Sequence, residues 1–533
     1  YQDSVIFGHA KDGNIHFMLN EQFRDAKQLV RYRDFTEEMV QLILDADGSL
    51  KAEHGTGRIM APFVRRQFGD ELFEVMREIK RLIDPKGFLN PGVVLADEDT
   101  DYATDLKVAE TVEEEVDRCV ECGYCEPVCP SKDLTLTPRQ RIVLRREIAA
   151  AEANGDTKLA ERLRQEYEYY GVDTCAVDGM CVTRCPVLIN TGDLVRRLRA
   201  ENQDALGAAG WKFASKHWGT IDKVAGKALT AAKMLPFPVV RGATDIGRKL
   251  FGEDMVPAYK KGLSAGGAPR VPHAEANPEI VFFPACVNAM FGGVDGDGKH
   301  DPVNATQAFI RLCERAGVKY RIPEDIDQMC CGTPWKSKGY TDGYSIMSDR
   351  VLKALWQATD GGRIPIVCDA SSCTEGLEVM RAKVAAALEH KITQGLGAGE
   401  ADYAQLKLID SVQFAADTLL PKLTVSAPLP SLALHPTCSM THLGVQPAFE
   451  KIANAMSDQV YVPKNWGCCG YAGDRGMLHP ELTQSATRAE TAELNEHEFA
   501  AYASSNRTCE QGMTEATGHT FQNVLQLLER ATR

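Results

Sequence analysis

Between residues 119 and 185 the spacing of the cysteines leaves few folds open. Cys119-x2-Cys122-x2-Cys125-x3-Cys129-Pro130 is answered by Cys175-x5-Cys181-x3-Cys185-Pro186. Three thiolates in one tight loop hold three corners of an iron–sulfur cube, and a fourth, displaced along the chain and followed by proline, reaches a second cluster. Zinc sites favour paired C-x2-C units and not a run of three ending in Cys-Pro. The spacing therefore assigns Cys119, Cys122, Cys125 and Cys185 to one 4Fe-4S cluster, and Cys129, Cys175 and Cys181 to another. Asp178 stands where the second cluster expects a cysteine. An aspartate there either ligates the fourth iron weakly or leaves it unheld, giving a 3Fe-4S cluster. Everything else in the chain must supply electrons to this module or take them away.

The remaining composition narrows the class. A net charge of −14 over 533 residues argues against a nucleic-acid partner, because phosphate binding needs a basic face. Seventeen cysteines, an odd number set in C-x2-C and Cys-Cys-Gly patterns, read as metal ligands in a reducing compartment and point to the cytoplasm. No run of eighteen apolar residues occurs. The chain starts with Tyr1-Gln-Asp-Ser-Val-Ile-Phe, as if in mid-strand, and is expected to be a piece of a longer protein. Residues 211–261 hold eight Lys and two Arg against four acids, with aromatic and aliphatic residues interleaved. Such a stretch is either a connector packed between domains or a peripheral contact with the inner face of an anionic membrane.

Ser4–His9 and Ile15–Leu19 flank Lys11-Asp12-Gly13-Asn14 and read as a β-hairpin. If Asp12-Gly13 forms a two-residue turn, His9 faces His16, and two imidazoles so placed either grip a metal ion or merely cap the hairpin. A helix over 35–44 precedes Glu53-His54-Gly55-Thr56-Gly57-Arg58, where Glu53 would complete a two-histidine, one-carboxylate set. Residues 97–115 read as an acidic, solvated linker, and 138–170 as two helices broken near 154.

Gly8-His9, Asp12-Gly13-Asn14-Ile15-His16, Ala52-Glu53-His54-Gly55-Thr56-Gly57 and Ile83-Asp84-Pro85-Lys86-Gly87-Phe88-Leu89-Asn90-Pro91-Gly92 resemble the C-terminal part of the flavin-linked 2-hydroxyacid dehydrogenases, which share the vanillyl-alcohol-oxidase fold. The resemblance covers residues 1 to about 95. It implies that His9, His16 and Glu53 bind a divalent metal, zinc or manganese, that His54 is the base and that Asn14 lies near the substrate. Arg58 is a candidate for the substrate carboxylate. FAD would be bound mainly by a flavin domain of the same protein lying upstream of these motifs.

From residue 278 the chain repeats itself. Pro284-Ala285-Cys286, Cys330-Cys331-Gly332 and Cys373-Thr374-Glu375-Gly376 recur in order as Pro436-Thr437-Cys438, Cys468-Cys469-Gly470 and Cys509-Glu510-Gln511-Gly512. Two α/β units with parallel strands are expected. They resemble the Cys-Cys-Gly domain pairs of heterodisulfide reductases and of glycolate and lactate oxidation systems. The resemblance implies that Cys286, Cys330, Cys331 and Cys373 form one cluster site and Cys438, Cys468, Cys469 and Cys509 another, although Ala370 and Asn506 replace one cysteine of the full pattern in each copy. Cys368 sits nearby but out of register, Cys313 reads as core, and His435 and His442 as packed or surface residues.

The expected class is multidomain α+β. A partial vanillyl-alcohol-oxidase-type cap (1–96) leads into a mostly helical ferredoxin-like iron–sulfur module (97–203) and a basic connector (204–275). Two small α/β Cys-Cys-Gly domains follow (276–400 and 401–533). That order resembles the fused respiratory D-lactate dehydrogenases. It implies oxidation of D-lactate, or of D-2-hydroxyglutarate or glycolate, with electrons leaving through the clusters to a quinone or cytochrome. An expectation from another class is an electron-transfer subunit of the heterodisulfide-reductase type, in which the histidine pair is only structural.

Overall fold

The computed structural model describes residues 4–533 apart from 20, 22, 24, 52–53, 97–100, 107–110, 253–255, 261, 295 and 394–401, and without the side chains of 251 and 385–393. Glu53 lies outside the described residues. About half of the chain is helical. Its contacts divide it into two units, the first comprising 1–123, 142–163 and 185–189, the second 124–141, 164–184 and 190–533.

In the first unit, strands β1 (Val5–Phe7) and β2 (His16–Met18) form the expected antiparallel hairpin, but in a different register. His16 faces Phe7, and the two rings stack at 5.0 Å. The two-residue turn is replaced by a 3-10 turn over Ala10–Asp12 that closes at Gly13 with φ 67°. Its cause is local. The backbone N–H of His9 donates to Asn14 Oδ1 at 2.6 Å, and Gly8 passes so close to the Asn14 carbonyl that a Cβ there would lie 2.0 Å from the oxygen. His9 thus stands beyond the paired strand and not opposite His16.

Helix α1 (Ala26–Asp45) starts well before the expected residue 35, because Asp25 caps it by accepting from Gln28 N–H at 2.8 Å. Its Tyr32, Thr36 and Val40, spaced by four, form the buried face. Helix α2 (Val64–Ile83) is broken at Gly69 and ends on Asp84. The 97–115 stretch is not simply a solvated linker. Asp101 pairs with Arg33, Tyr102 packs on Tyr32 and Phe63, and buried Glu113 pairs with Arg145. Aromatic burial and opposite charge outweigh the acidic composition there.

Helices α3 (Pro138–Ala153) and α4 (Thr157–Tyr167) follow the expected pattern, with the break at Asn154-Gly155. In the second unit, α5 (Thr191–Glu201) precedes the basic connector, which is three helices: α6 (Ala205–Lys216), α7 (Trp218–Met234) and α8 (Phe237–Phe251). The connector is packed. Trp335 inserts between Trp211 and Trp218 and donates its indole N–H to the Trp211 carbonyl at 2.8 Å. Lys223 pairs with Asp327, and Arg270 with Asp222 in the interior at 3.1 Å.

The duplication predicted from the cysteines is a duplication of topology. Strands β3 (Ile280–Phe283), β4 (Tyr320–Arg321), β5 (Ile366–Cys368) and β6 (Leu408–Asp410) form a parallel sheet in the order β4-β3-β5-β6. Strands β7 (Leu432–Leu434), β8 (Val460–Tyr461), β9 (Ala501–Ser504) and β10 (Phe521–Asn523) repeat it as β8-β7-β9-β10. Because β6 pairs with β5, the first copy extends past residue 400 and takes in Leu408–Asp410. Cys286, Cys438, Cys373 and Cys509 all follow the carboxyl ends of these strands, where open α/β sheets place their sites.

Asp84 makes the clearest stability prediction. Its carboxylate accepts from Lys80 Nζ at 2.6 Å and from the N–H groups of Phe88 and Leu89. The Lys80 hydrogen bond, joined by those N–H groups, holds its pKa near 2, down from 3.8. A lowered folded-state pKa contributes stability that is full above the ordinary carboxylate range and is lost as pH falls through the folded value. Acid unfolding of the first unit, followed by circular dichroism, is expected between about pH 4 and 2. Asp84→Asn should lower the melting temperature at pH 7 and remove that pH dependence. An unchanged acid limb in the variant would contradict the assignment.

Candidate redox and metal sites

The turn of the first unit gathers three imidazoles. The His9 and His16 rings lie 6.2 Å apart, nearly perpendicular, and His16 and His54 lie 5.5 Å apart. The three rings are neighbours, but their nitrogens do not all lie within 4.8 Å of one another as they stand. Asn14 belongs to the same group, its Oδ1 lying 3.1 Å from His9 Nδ1. Arg58 is exposed. The two histidines are therefore brought near each other by the wider turn and not by strand pairing.

Of the first cluster set, Cys119, Cys122 and Cys185 fall in the first unit and Cys125 in the second. Burial raises the Cys119 thiol, and nearby Cys185 raises it further. Arg146 braces this loop, bonding Glu121 at 2.7 Å and the Cys119 carbonyl at 3.0 Å.

The second set lies wholly in the second unit. Cys129, Cys175 and Cys181 are buried around a cavity also lined by Ser131, Arg141 and Asp178. Burial pushes the Cys181 thiol up to about 12, so the sulfurs favour the neutral form until a metal takes the proton's place. Arg141, which the sequence reading passed over, is fully buried. Its Nη1 lies 3.7 Å from Cys129 Sγ, Nη2 donates to Ser131 Oγ at 2.9 Å, and Nε donates to the Gly171 carbonyl at 2.7 Å. Asp178 is half-buried as a residue, but desolvation of its carboxylate raises its pKa, and it bonds the Cys468 thiol. Its own carbonyl accepts from His442 Nε2 at 2.8 Å. Ala176 and Met180 pack with Cys468 and Leu482 in one apolar cluster. The loop of the second cluster set is thus seated directly on the second Cys-Cys-Gly copy.

Each copy collects its cysteines. In the first, Cys286 and Cys330 sulfurs are 3.6 Å apart and those of Cys331 and Cys373 are 3.2 Å apart. Cys368, out of register in sequence, joins them by bonding Cys373. Thiol donation from Cys330 and Cys373 pulls Cys331 well down, while burial drives Cys330 well up. In the second, Cys468 pairs with Cys438 and Cys469 with Cys509. Donation from Cys509 pulls Cys469 well down, and buried His435 adds to this. Cys313 is a buried core thiol, as expected.

Residues 2–94 match the family described as FAD linked oxidases, C-terminal domain. Residues 115–189 match the 4Fe-4S dicluster domain, and residues 280–378 and 432–514 the cysteine-rich domain. The chain thus carries, in order, segments similar to the C-terminal domain of FAD linked oxidases, to a 4Fe-4S dicluster domain and, twice, to a cysteine-rich domain. Among its relatives are a probable mitochondrial D-lactate dehydrogenase of Danio rerio and the glycolate oxidase subunit GlcD of Bacillus subtilis. The first is 36% identical over 90 residues, 17% of this chain and 18% of the relative. The second is 31% identical over 90 residues, 17% and 19% respectively. A D-2-hydroxyglutarate dehydrogenase of Haemophilus influenzae is 25% identical over 236 residues, 35% of this chain and 23% of the relative. The chain spans about a fifth of the length of the curated relatives it matches.

The glycines of the two Cys-Cys-Gly turns are not equivalent. Gly332 has φ 80°, and a Cβ on it would meet the Tyr344 ring at 2.7 Å; Gly470 has φ 68° with its nearest neighbour, Leu482, at 3.2 Å. Gly332→Ala should cost about 2–5 kcal/mol and Gly470→Ala about 1–2 kcal/mol, the first combining left-handed strain with overpacking. Denaturant unfolding of both variants checks the order, which equal losses would contradict.

Proposed function

We propose that this chain is part of a flavin- and iron–sulfur-dependent D-2-hydroxyacid dehydrogenase that oxidises D-lactate to pyruvate. D-2-hydroxyglutarate is the alternative within the same architecture. The observation that carries the reading is the gathering of the His9, His16 and His54 rings beside one another in the FAD-linked-oxidase-like segment. In this reading residues 1–96 form a vanillyl-alcohol-oxidase-type cap. Leu72, Val75, Ile79 and Leu82 form an exposed apolar stripe on α2, suited to packing against a flavin-binding domain of the same protein.

His9, His16 and Glu53 would hold the divalent ion, zinc or manganese, Asn14 would orient the substrate, and Arg58 would meet its carboxylate. When bound, the metal supplies a Lewis acid and FAD a two-electron acceptor. The hydroxyl proton would pass to His54 as general base. Conversion to the 2-oxoacid releases two electrons, which leave singly through the cluster bound by Cys119, Cys122, Cys125 and Cys185 and that bound by Cys129, Cys175 and Cys181. Asp178, turned toward Cys468, is a weak fourth ligand at most, and this favours a three-iron second cluster. Cys286, Cys330, Cys331 and Cys373, and Cys438, Cys468, Cys469 and Cys509, are proposed to bind further metal centres.

The acceptor is proposed to be a quinone or cytochrome reached at a membrane surface. Met234, Leu235, Val239, Ile246 and Leu250 around the α7–α8 corner are exposed, next to exposed Lys227 and Lys249. Among the described residues no helix is long and apolar enough to cross a membrane, so contact would be peripheral. Lys223 is already taken by Asp327, which leaves Lys227, Lys249 and Leu250 as the residues to test. The combination of Lys227→Glu, Lys249→Glu and Leu250→Asp should reduce sedimentation with anionic liposomes at low salt at least tenfold, and unchanged sedimentation would remove the idea.

His54→Ala in the flavin-bound protein should lower D-lactate-dependent dye reduction by about 10²–10⁴-fold while leaving the visible spectrum of the clusters intact. Full activity in the variant would favour the electron-transfer subunit reading instead. Arg141→Met should lower the reduction potential of the second cluster by about 60 mV or more, the equivalent of losing one charge-assisted hydrogen bond to a thiolate. An unshifted potential in an EPR-monitored titration would argue that Arg141 serves the fold alone.

A further inference from the structure

The two Cys-Cys-Gly copies differ at one position in a way their cysteines hide. Three residues before the first cysteine of each set, the first copy has Phe283 and the second has His435. Both are fully buried. Phe283 belongs to an apolar core, whereas a buried imidazole needs partners for both nitrogens.

His435 has them in an unusual arrangement. Nδ1 lies 2.8 Å from Oε1 of Glu490, itself buried. Nε2 is buried, faces Cys469 and makes no other hydrogen bond. Among the described residues, His435, Cys469 and Cys509 are brought together so that their ligand atoms all lie within 4.8 Å of one another. Ligands of one tetrahedral ion, with metal–sulfur near 2.3 Å and metal–nitrogen near 2.0–2.1 Å, stand about 3.5–4 Å apart. A carboxylate on the far ring nitrogen is the arrangement that fixes the tautomer and aims the near one at a metal. The first copy offers no such group and instead adds Cys368 to its four thiols.

We propose that His435 is a metal ligand through Nε2, held in place by Glu490. The second copy then carries a mixed imidazole–thiolate centre for zinc or iron, with Cys469, Cys509 and one of the adjoining Cys438 and Cys468. The first copy carries an all-sulfur site. The proposal rests on the reading that the second cysteine set binds metal at all, and Cys469→Ser separates the two questions.

The test uses the whole chain purified without oxygen, with metals and sulfide counted per chain and X-ray absorption recorded at the zinc and iron edges. Cys469→Ser and His435→Phe are expected to lose the same metal. Zinc alone would identify a mononuclear site, and iron with sulfide a cluster. The wild type should show a nitrogen neighbour at about 2.0–2.1 Å that His435→Phe lacks. Glu490→Gln, the milder change, should keep the metal but release it to a chelator about 10–100-fold more readily. Unchanged dicluster signals guard against global misfolding. If Cys469→Ser loses metal while His435→Phe keeps it with the same spectrum, His435 is a packed histidine and the proposal fails, though the thiolate reading survives. If Cys469→Ser loses nothing, both fail.

Discussion

Buried sulfur is the constraint on which the second unit depends. Cys129, Cys175 and Cys181, with the two Cys-Cys-Gly sets, put most of the chain's thiols in the interior within reach of one another. Burial drives Cys129, Cys181 and Cys330 toward the neutral form, and at Cys509 the hydrogen bond to Cys469 does so with burial beside it. Neutral thiols would pack as small hydrophobes, but they would not explain a fully buried Arg141 against Cys129 or a carboxylate-backed His435 against Cys469. An arginine next to sulfur is stabilising once the sulfur is a thiolate, a carboxylate-backed imidazole suits a metal held by that thiolate, and a metal is what keeps a buried thiolate ionised. Folding of this half and loading of its metals are therefore expected to be one process.

The same sulfur sets the connectivity. Residues 175–181 and 438–469 are far apart in sequence, yet Asp178 bonds Cys468, His442 bonds the Asp178 carbonyl, and Ala176 and Met180 share an apolar cluster with Cys468. The residue that breaks the cysteine pattern is the one that makes the junction. Where the spacing expects a fourth cysteine, Asp178 faces Cys468.

Much of this was legible in the sequence, for reasons that differ by element. The spacing of the cysteines fixes which thiols can share a loop, and their recurrence in order foretold two sheets of the same topology. The hairpin was legible as alternation and turn residues, but its register was not, because Asn14 Oδ1 and the tight passage at Gly8 select a wider turn. Strand β6 was assigned to the second copy because a three-residue strand carries no marker of the sheet it joins. Arg141 and His435 were missed for a common reason. A lone Arg on a helix and a lone His before a proline read as surface or packing until burial shows what faces them. Matching His435 to Phe283 was the signal available in advance.

The central claim is that a 2-hydroxyacid oxidised next to His9, His16 and His54 delivers its electrons to the iron–sulfur centres of the same protein. Anaerobic rapid mixing of the flavin-bound protein with D-lactate, and separately with D-2-hydroxyglutarate, tests it most directly. The account predicts that D-lactate bleaches the flavin first and the iron–sulfur absorbance second, within one turnover. Flavin bleaching with no later cluster reduction, or no bleaching with either acid, would contradict it.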